Sequence, residues 1–556
     1  MKKILAISIL SLFLFSFFSC HDAKRSSNVT TATTKAQWVD SIYNNMSVKE
    51  KVGQLFMVAT YSNRTDSHLD SIQKLIKDHG IGGLIFFQGG PVRQAELTNT
   101  YQAMSKVPLL IGMDAEWGLN MRLDSTSGFP YNMTLGAIKN DDIIKRIGQQ
   151  IGKHCKRLGV HLNFAPVVDI NTNSNNPIIG VRSFGEDKLN VTSKSLAFTH
   201  GLQSEGVLAC AKHFPGHGDT DTDSHKALPT VSFSKERIDS VELYPFKKLF
   251  EKQVGGVMVA HLNVPSLEPI EGLPSSLSYN IVTNILKEQL DFKGLVFTDA
   301  LNMKGVANYK EPGDVDLAAF KAGNDVLLFT ENAPKAILKI TEAYDNNEIT
   351  EARLSHSVKK ILAAKYDVDL NKFQPIEING LIDDLNGVDN LELNKEAISN
   401  AITVIKNEDD IFTKDSNNKE KIAFLKLGDG ASEAFVKELG SGISVYNVAE
   451  VSEKELLKNL KKYDKIIIGY HRLKYRDTKV ISEEDKAWIE KVAETNKVIL
   501  NVFASQYCLK DITLKNIEGI IMSYENTDVS QSISAQIILG KQQAYGELPA
   551  SFGTGL

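Results

Sequence analysis

A chain of 556 residues that is 42% hydrophobic and 24% charged has ample material for a packed core and is long for one ordinary domain. Its formal charge of −5 provides no basic field for nucleic acid or anionic lipid, which argues against a nucleic-acid partner. Four widely separated cysteines argue against a disulfide-stapled scaffold, and Cys155, Cys210 and Cys508 read as buried free thiols.

In chain order, Lys2 and Lys3 precede an almost wholly apolar stretch from Ile4 to Phe18, followed by Ser19-Cys20 and a polar run. About 15 apolar residues are short of the roughly 20 that a permanent membrane span needs, so residues 1–19 read as a signal peptide. The small residue before Cys20 resembles a bacterial lipoprotein processing site. In that reading Cys20 is the lipidated first residue, 20–37 is a tether, and the protein is an exported periplasmic or outer-membrane lipoprotein. An ordinary signal with a chance cysteine is the alternative.

Eight nearly continuous apolar runs follow, beginning at Gly53, Ile81, Pro108, Val160, Val207, Gly256, Gly294 and Asp325. Continuous runs, unlike alternating ones, suit parallel strands covered on both faces. Amphipathic stretches such as DDIIKRIGQQIGKHCKRLG and SKERIDSVELYPFKKLFEK separate them. Strand–helix alternation repeated eight times predicts a (β/α)8 TIM-type barrel over residues 38–370. A polar stretch over 371–390 reads as a linker. Apolar runs from Lys421, Lys465, Lys497 and Gly519 then predict a smaller open α/β sandwich domain over 391–556.

Polar residues gather at the C-terminal ends of the barrel runs: Asp114 and Glu116, Asn163 and Asp169, Lys212 and His213, His261 and Asn263, and Asp299. That end is the active-site face of such a barrel. The segment KHFPGHGDTDTDSH, residues 212–225, leaves a strand and enters a loop dense in Asp and His. Three readings compete there. His213, His217, Asp219, Asp221, Asp223 and His225 are candidate metal ligands, although no HExxH-type frame is present. Asp223 and His225 are alternatively a proton-transfer pair, because a carboxylate orients an imidazole that titrates near neutral pH. A plain surface loop is the third.

KHFPGHGDTDTDSH, with NFAPVVDI, RSFGED and FTDALNM, resembles glycoside hydrolase family 3 and its bacterial β-N-acetylglucosaminidase branch, over roughly residues 45–370. The resemblance implies a retaining mechanism through a covalent glycosyl-enzyme. Asp299 then matches the nucleophile, His225 the general acid/base and Asp223 its orienting partner. Asp114, Arg122, Arg182, Lys212 and His213 match residues that hold the sugar. The implied substrate is a terminal β-linked N-acetylglucosamine, as on cell-wall fragments, with no metal and no organic cofactor. A histidine acid also leaves room for phosphate in place of water as acceptor. A β-glucosidase of the same family and a non-catalytic sugar-binding lipoprotein are the alternatives. One departure stands out: Trp117-Gly118-Leu119 occupies the place where the family often has two glycines and an arginine, at the pocket rim.

Overall fold

The computed structural model describes residues 34–224, 226–412, 420–448, 452–476, 480–510 and 512–552. Cys20 and His225 lie outside them. Each of the eight apolar runs contains one strand: β1 (Phe56–Thr60), β2 (Gly83–Phe86), β3 (Leu110–Met113), β4 (Leu162–Asn163), β5 (Leu208–Phe214), β6 (Gly256–Val259), β7 (Leu295–Thr298) and β8 (Leu327–Leu328). All neighbours pair in parallel, in the order β7-β6-β5-β4-β3-β2-β1-β8. A parallel bridge between Phe297 and Val326 brings β8 back to β7 and closes the barrel.

Inside, Phe164 and Phe297 meet edge to face with ring centroids 5.3 Å apart. Glycines make room for them. A Cβ on Gly112 would stand 2.9 Å from the Phe164 ring, and one on Gly256 would stand 2.9 Å from the Phe297 ring.

The first amphipathic stretch forms one helix, Asp141–Arg157, capped by Asn140. The second breaks into Lys235–Ser240 and Tyr244–Glu251, because Pro245 begins a helix well but cannot continue one. Cys155, Cys210 and Cys508 are free and buried. Among the described residues no helix is long and apolar enough to cross a membrane.

The second sheet contains β9 (Thr403–Asn407), β10 (Ile422–Leu427), β11 (Ser444–Asn447), β12 (Lys465–His471), β13 (Lys497–Phe503) and β14 (Gly519–Met522), in the order β11-β10-β12-β13-β14-β9. β9 is antiparallel and the others are parallel. The sequence reading lacks β9 and β11, the two edges, whose part-exposed residues carry no continuous apolar run. The stretch read as a linker, 371–390, differs as well. It contains the helix Leu381–Leu385, with both end residues buried, and the start of the helix Val388–Ala401. Leu381, Leu385 and Asn390 supply the buried face that the polar composition conceals.

Ionisable groups are also buried at the opposite, N-terminal end of the barrel. Lys365 is fully buried, with its amine 2.7 Å from the Gln54 amide oxygen, and burial lowers its pKa from 10.5 to about 7. Between those values the unfolded chain holds a proton on this amine that the folded chain lacks, so stability from this group rises with pH across that window. Thermal unfolding at about pH 7 and about pH 9.5 is expected to show the rise, with Lys365→Met flattening it; the full window is worth on the order of 5 kcal/mol. Equal pH slopes in the two proteins would refute the assignment.

Candidate active site

At the C-terminal face the strands deliver their polar ends into one cavity of about 280 Å³. Local sequence determines how each side chain arrives there. Asp114 and Glu116 follow β3 two residues apart, so they share a side in extended backbone while Ala115 turns away. Asn163, ending β4, clamps this segment: Ala115 N–H donates to its carboxamide oxygen at 2.9 Å, and its amide donates back to Ala115 O at 3.0 Å. On β5 the pairing with β6 slips between Lys212 and Phe214. Such a slip breaks strict alternation, and here both Lys212 and His213 line the cavity.

The charges form a closed network. Lys212 Nζ donates to Asp114 Oδ1 at 2.7 Å and lies 2.8 Å from Glu116 Oε1. Arg182 grips Glu116 at both oxygens, 2.7 and 3.0 Å, and Arg122 donates to Asp114 Oδ2 at 2.5 Å. Burial pushes the Asp114 carboxyl up, but Lys212 and Arg122 overcome this and hold it at about 2. Glu116 is held well below the carboxylate range in the same way, by Arg182 and Lys212. Two buried carboxylates and three cations therefore stay ionised together. The neighbouring acids Glu186 and Asp187 are not the Arg182 partners; Asp187 caps the helix Lys188–Ser204. The Arg122 guanidinium also lies 3.9 Å over the Phe87 ring, and its Nε–H has no partner among the described residues.

Asp169, just beyond β4, organises the His-rich turn. It accepts from His213 Nδ1 at 2.7 Å and from the His217 backbone N–H at 2.7 Å. His217 is buried between the Thr220 and Ser224 hydroxyls, and burial pushes its imidazole down to about 4, so it is neutral at physiological pH. Among the described residues no three His, Cys, Asp or Glu side chains converge to hold a metal.

Asp299 follows β7 and lines the cavity. Its backbone N–H donates to Val259 O at 2.8 Å, and its Oδ1 accepts from Ala300 N–H at 2.7 Å. Burial raises this carboxyl, while His213, His261 and the Ala300 amide lower it further, leaving it below the ordinary value. His261 donates from Nε2 to the Ala300 carbonyl at 3.0 Å, steadying the segment after Asp299.

The loop carrying Asp223 borders the same cavity through Ser224. Ser224 O accepts from Gly305 N–H at 3.1 Å, tying the loop to the segment beyond Asp299, and Asp223 O accepts from Lys226 and Ala227 N–H at 2.8 and 3.1 Å. The structure thus brings Asp299, Asp114, Arg122, Arg182, Lys212 and His213 to one cavity, with Asp223 one residue from its wall. Glu116, Asp169 and His217 also belong to this network. All three carried sequence signals, the first two as strand-end acids. Arg476, from the second sheet's domain, also lines the cavity and carried no signal at all.

A parallel barrel whose C-terminal cavity gathers Asp299 with paired acids and bases has the layout of a TIM-type barrel enzyme. Residues 47–364 match the model of the glycosyl hydrolase family 3 N-terminal domain, and the chain belongs to that family. Over 369 residues it is 32% identical to beta-hexosaminidase A of Pseudoalteromonas piscicida, a match that takes in 61% of this chain and 61% of that relative's length. A family 3 beta-N-acetylglucosaminidase from Paenibacillus sp. str. FPU-7 superposes with a TM-score of 0.76 at 29% identity, covering 91% of this chain and 99% of that one. The beta-glucoside phosphorylase BglX shares the fold, with a TM-score of 0.80 at 21% identity over 95% of this chain and 98% of that one.

Proposed function

We propose that the chain is an exo-acting, retaining β-N-acetylglucosaminidase that releases terminal N-acetylglucosamine from cell-wall or related glycans. The observation that carries this reading is the placement of Asp299 in the same small cavity as the Asp114–Lys212–Glu116–Arg182 network. About 280 Å³ is at the small end for a ligand site, which suits one sugar ring and an exo mode of attack.

In this reading Asp114, Arg122, Arg182, Lys212 and His213 fix the ring's hydroxyl and acetamido groups, and the Arg122 Nε–H, which has no partner among the described residues, is a donor that a sugar oxygen would satisfy. Asp299, ionised and with its Oδ1 already held by Ala300, attacks the anomeric carbon through its other oxygen and forms a glycosyl ester. His225, oriented by Asp223, protonates the departing oxygen and then activates water to hydrolyse the ester. That pair's role rests on the sequence motif. Export and anchoring through Cys20 belong to the same proposal and would place the enzyme beside peptidoglycan.

Aryl β-N-acetylglucosaminide is expected to be cleaved at least about 100-fold faster than aryl β-glucoside, with the β-anomer released first in a proton NMR time course. Equal rates would overturn the substrate assignment, and initial release of the α-anomer would overturn the retaining mechanism.

A further inference from the structure

The cations of the cavity differ in one respect. Lys212, Arg122 and Arg182 are each committed to a carboxylate of the protein, Asp114 or Glu116. Arg476 also lines the cavity, yet among the described residues no carboxylate pairs with it. It is exposed, whereas Asp114, Glu116 and Lys212 are buried, so it stands at the mouth and not at the floor. Its position is anchored. Neighbouring Tyr475 is buried, packs against Tyr131 with ring centroids 5.5 Å apart, and has its hydroxyl 3.3 Å from Thr134 Oγ1. Tyr131 packs on Trp117 at 4.4 Å, and the Arg476 guanidinium lies 5.9 Å from the Trp117 ring. Glu525 of the same domain accepts from Tyr131 N–H at 2.9 Å and from Thr134 Oγ1 at 2.8 Å, holding the barrel loop to the second sheet.

We infer that Arg476, seated beside Trp117, is a leaving-group specificity residue that takes a carboxylate on the aglycone. This rests on the exo-glycosidase reading, in which the terminal sugar sits deep and the aglycone points out through the mouth. A planar guanidinium that no carboxylate among the described residues pairs with, at the rim of a site whose other cations are neutralised internally, is matched by an anion that the substrate brings. Trp117, buried beneath Arg476, helps to set the position of the guanidinium. The second domain would then read the half of the substrate that the barrel does not.

The test compares two aryl β-N-acetylglucosaminides, 4-nitrophenyl and 3-carboxy-4-nitrophenyl, on the full chain and on Arg476→Gln and Arg476→Lys. The ratio of their kcat/KM values reads the same active molecules twice, so partial misfolding of a variant cancels. The wild type is expected to favour the carboxylated substrate about tenfold, chiefly through KM, with the preference shrinking as salt rises. Arg476→Gln should bring the ratio near one, and Arg476→Lys should keep part of the preference. A ratio unchanged by Arg476→Gln, with both substrates cleaved, overturns this inference alone. Failure of the wild type to cleave either substrate overturns the glycosidase reading and this inference with it.

Discussion

Asp299→Ala is expected to lower kcat on aryl β-N-acetylglucosaminide by about 10⁴-fold or more while leaving the barrel folded. Among the described residues the side chain's one hydrogen bond is to Ala300 N–H, and the backbone bond from its N–H to Val259 O survives the substitution. The barrel therefore loses little. On the proposed mechanism the route to a glycosyl ester is lost, because the neighbouring carboxylates Asp114 and Glu116 are tied to Lys212 and the two arginines. Circular dichroism and the thermal midpoint separate this outcome from unfolding. A variant that keeps more than about one-hundredth of the wild-type kcat would remove Asp299 from the nucleophile's role.

Lys212→Met should do the opposite, damaging both stability and activity. The ammonium is buried 2.7 Å from Asp114 and 2.8 Å from Glu116, and without it two buried carboxylates share only Arg122 and Arg182. Breaking a buried ion cluster on one side costs about 3–5 kcal/mol. The pH dependence follows. Asp114 titrates at about 2 in the folded protein, below its ordinary 3.8, so its contribution is present above about 4 and lost as pH falls toward 2. Without Lys212 the folded carboxyl rises, that contribution shrinks, and acid unfolding is expected at higher pH. Thermal melts at about pH 7 and about pH 4 measure both effects; a single variant as stable as wild type at both would refute the network's role.

These two residues also show what kind of information the sequence carried. Asp299 was visible as a strand-end acid, and its proposed role came from the resemblance of FTDALNM to the family, not from its position alone. Lys212 and His213 were legible as a pair at a strand end, but that both face one cavity depends on the slipped pairing of β5 with β6. Glu116 and Asp169 were visible as strand-end acids, yet their work, gripping Arg182 and orienting His213, exists only between strands. The linker reading of 371–390 went astray for a related reason: a polar stretch hides a few buried leucines whose value depends on the surface they meet.

By itself the sequence determined the barrel, its active-site end and the family, because eight apolar runs and four motifs are local signals that survive without a partner. Only the tertiary structure decided which cation neutralises which acid, how the edge strands β9 and β11 complete the second sheet, and that Arg476 reaches a cavity whose other walls lie more than a hundred residues earlier in the chain. The physical reason is the same throughout: burial and periodicity are written along the chain, whereas charge pairing and domain contact are properties of distance in space.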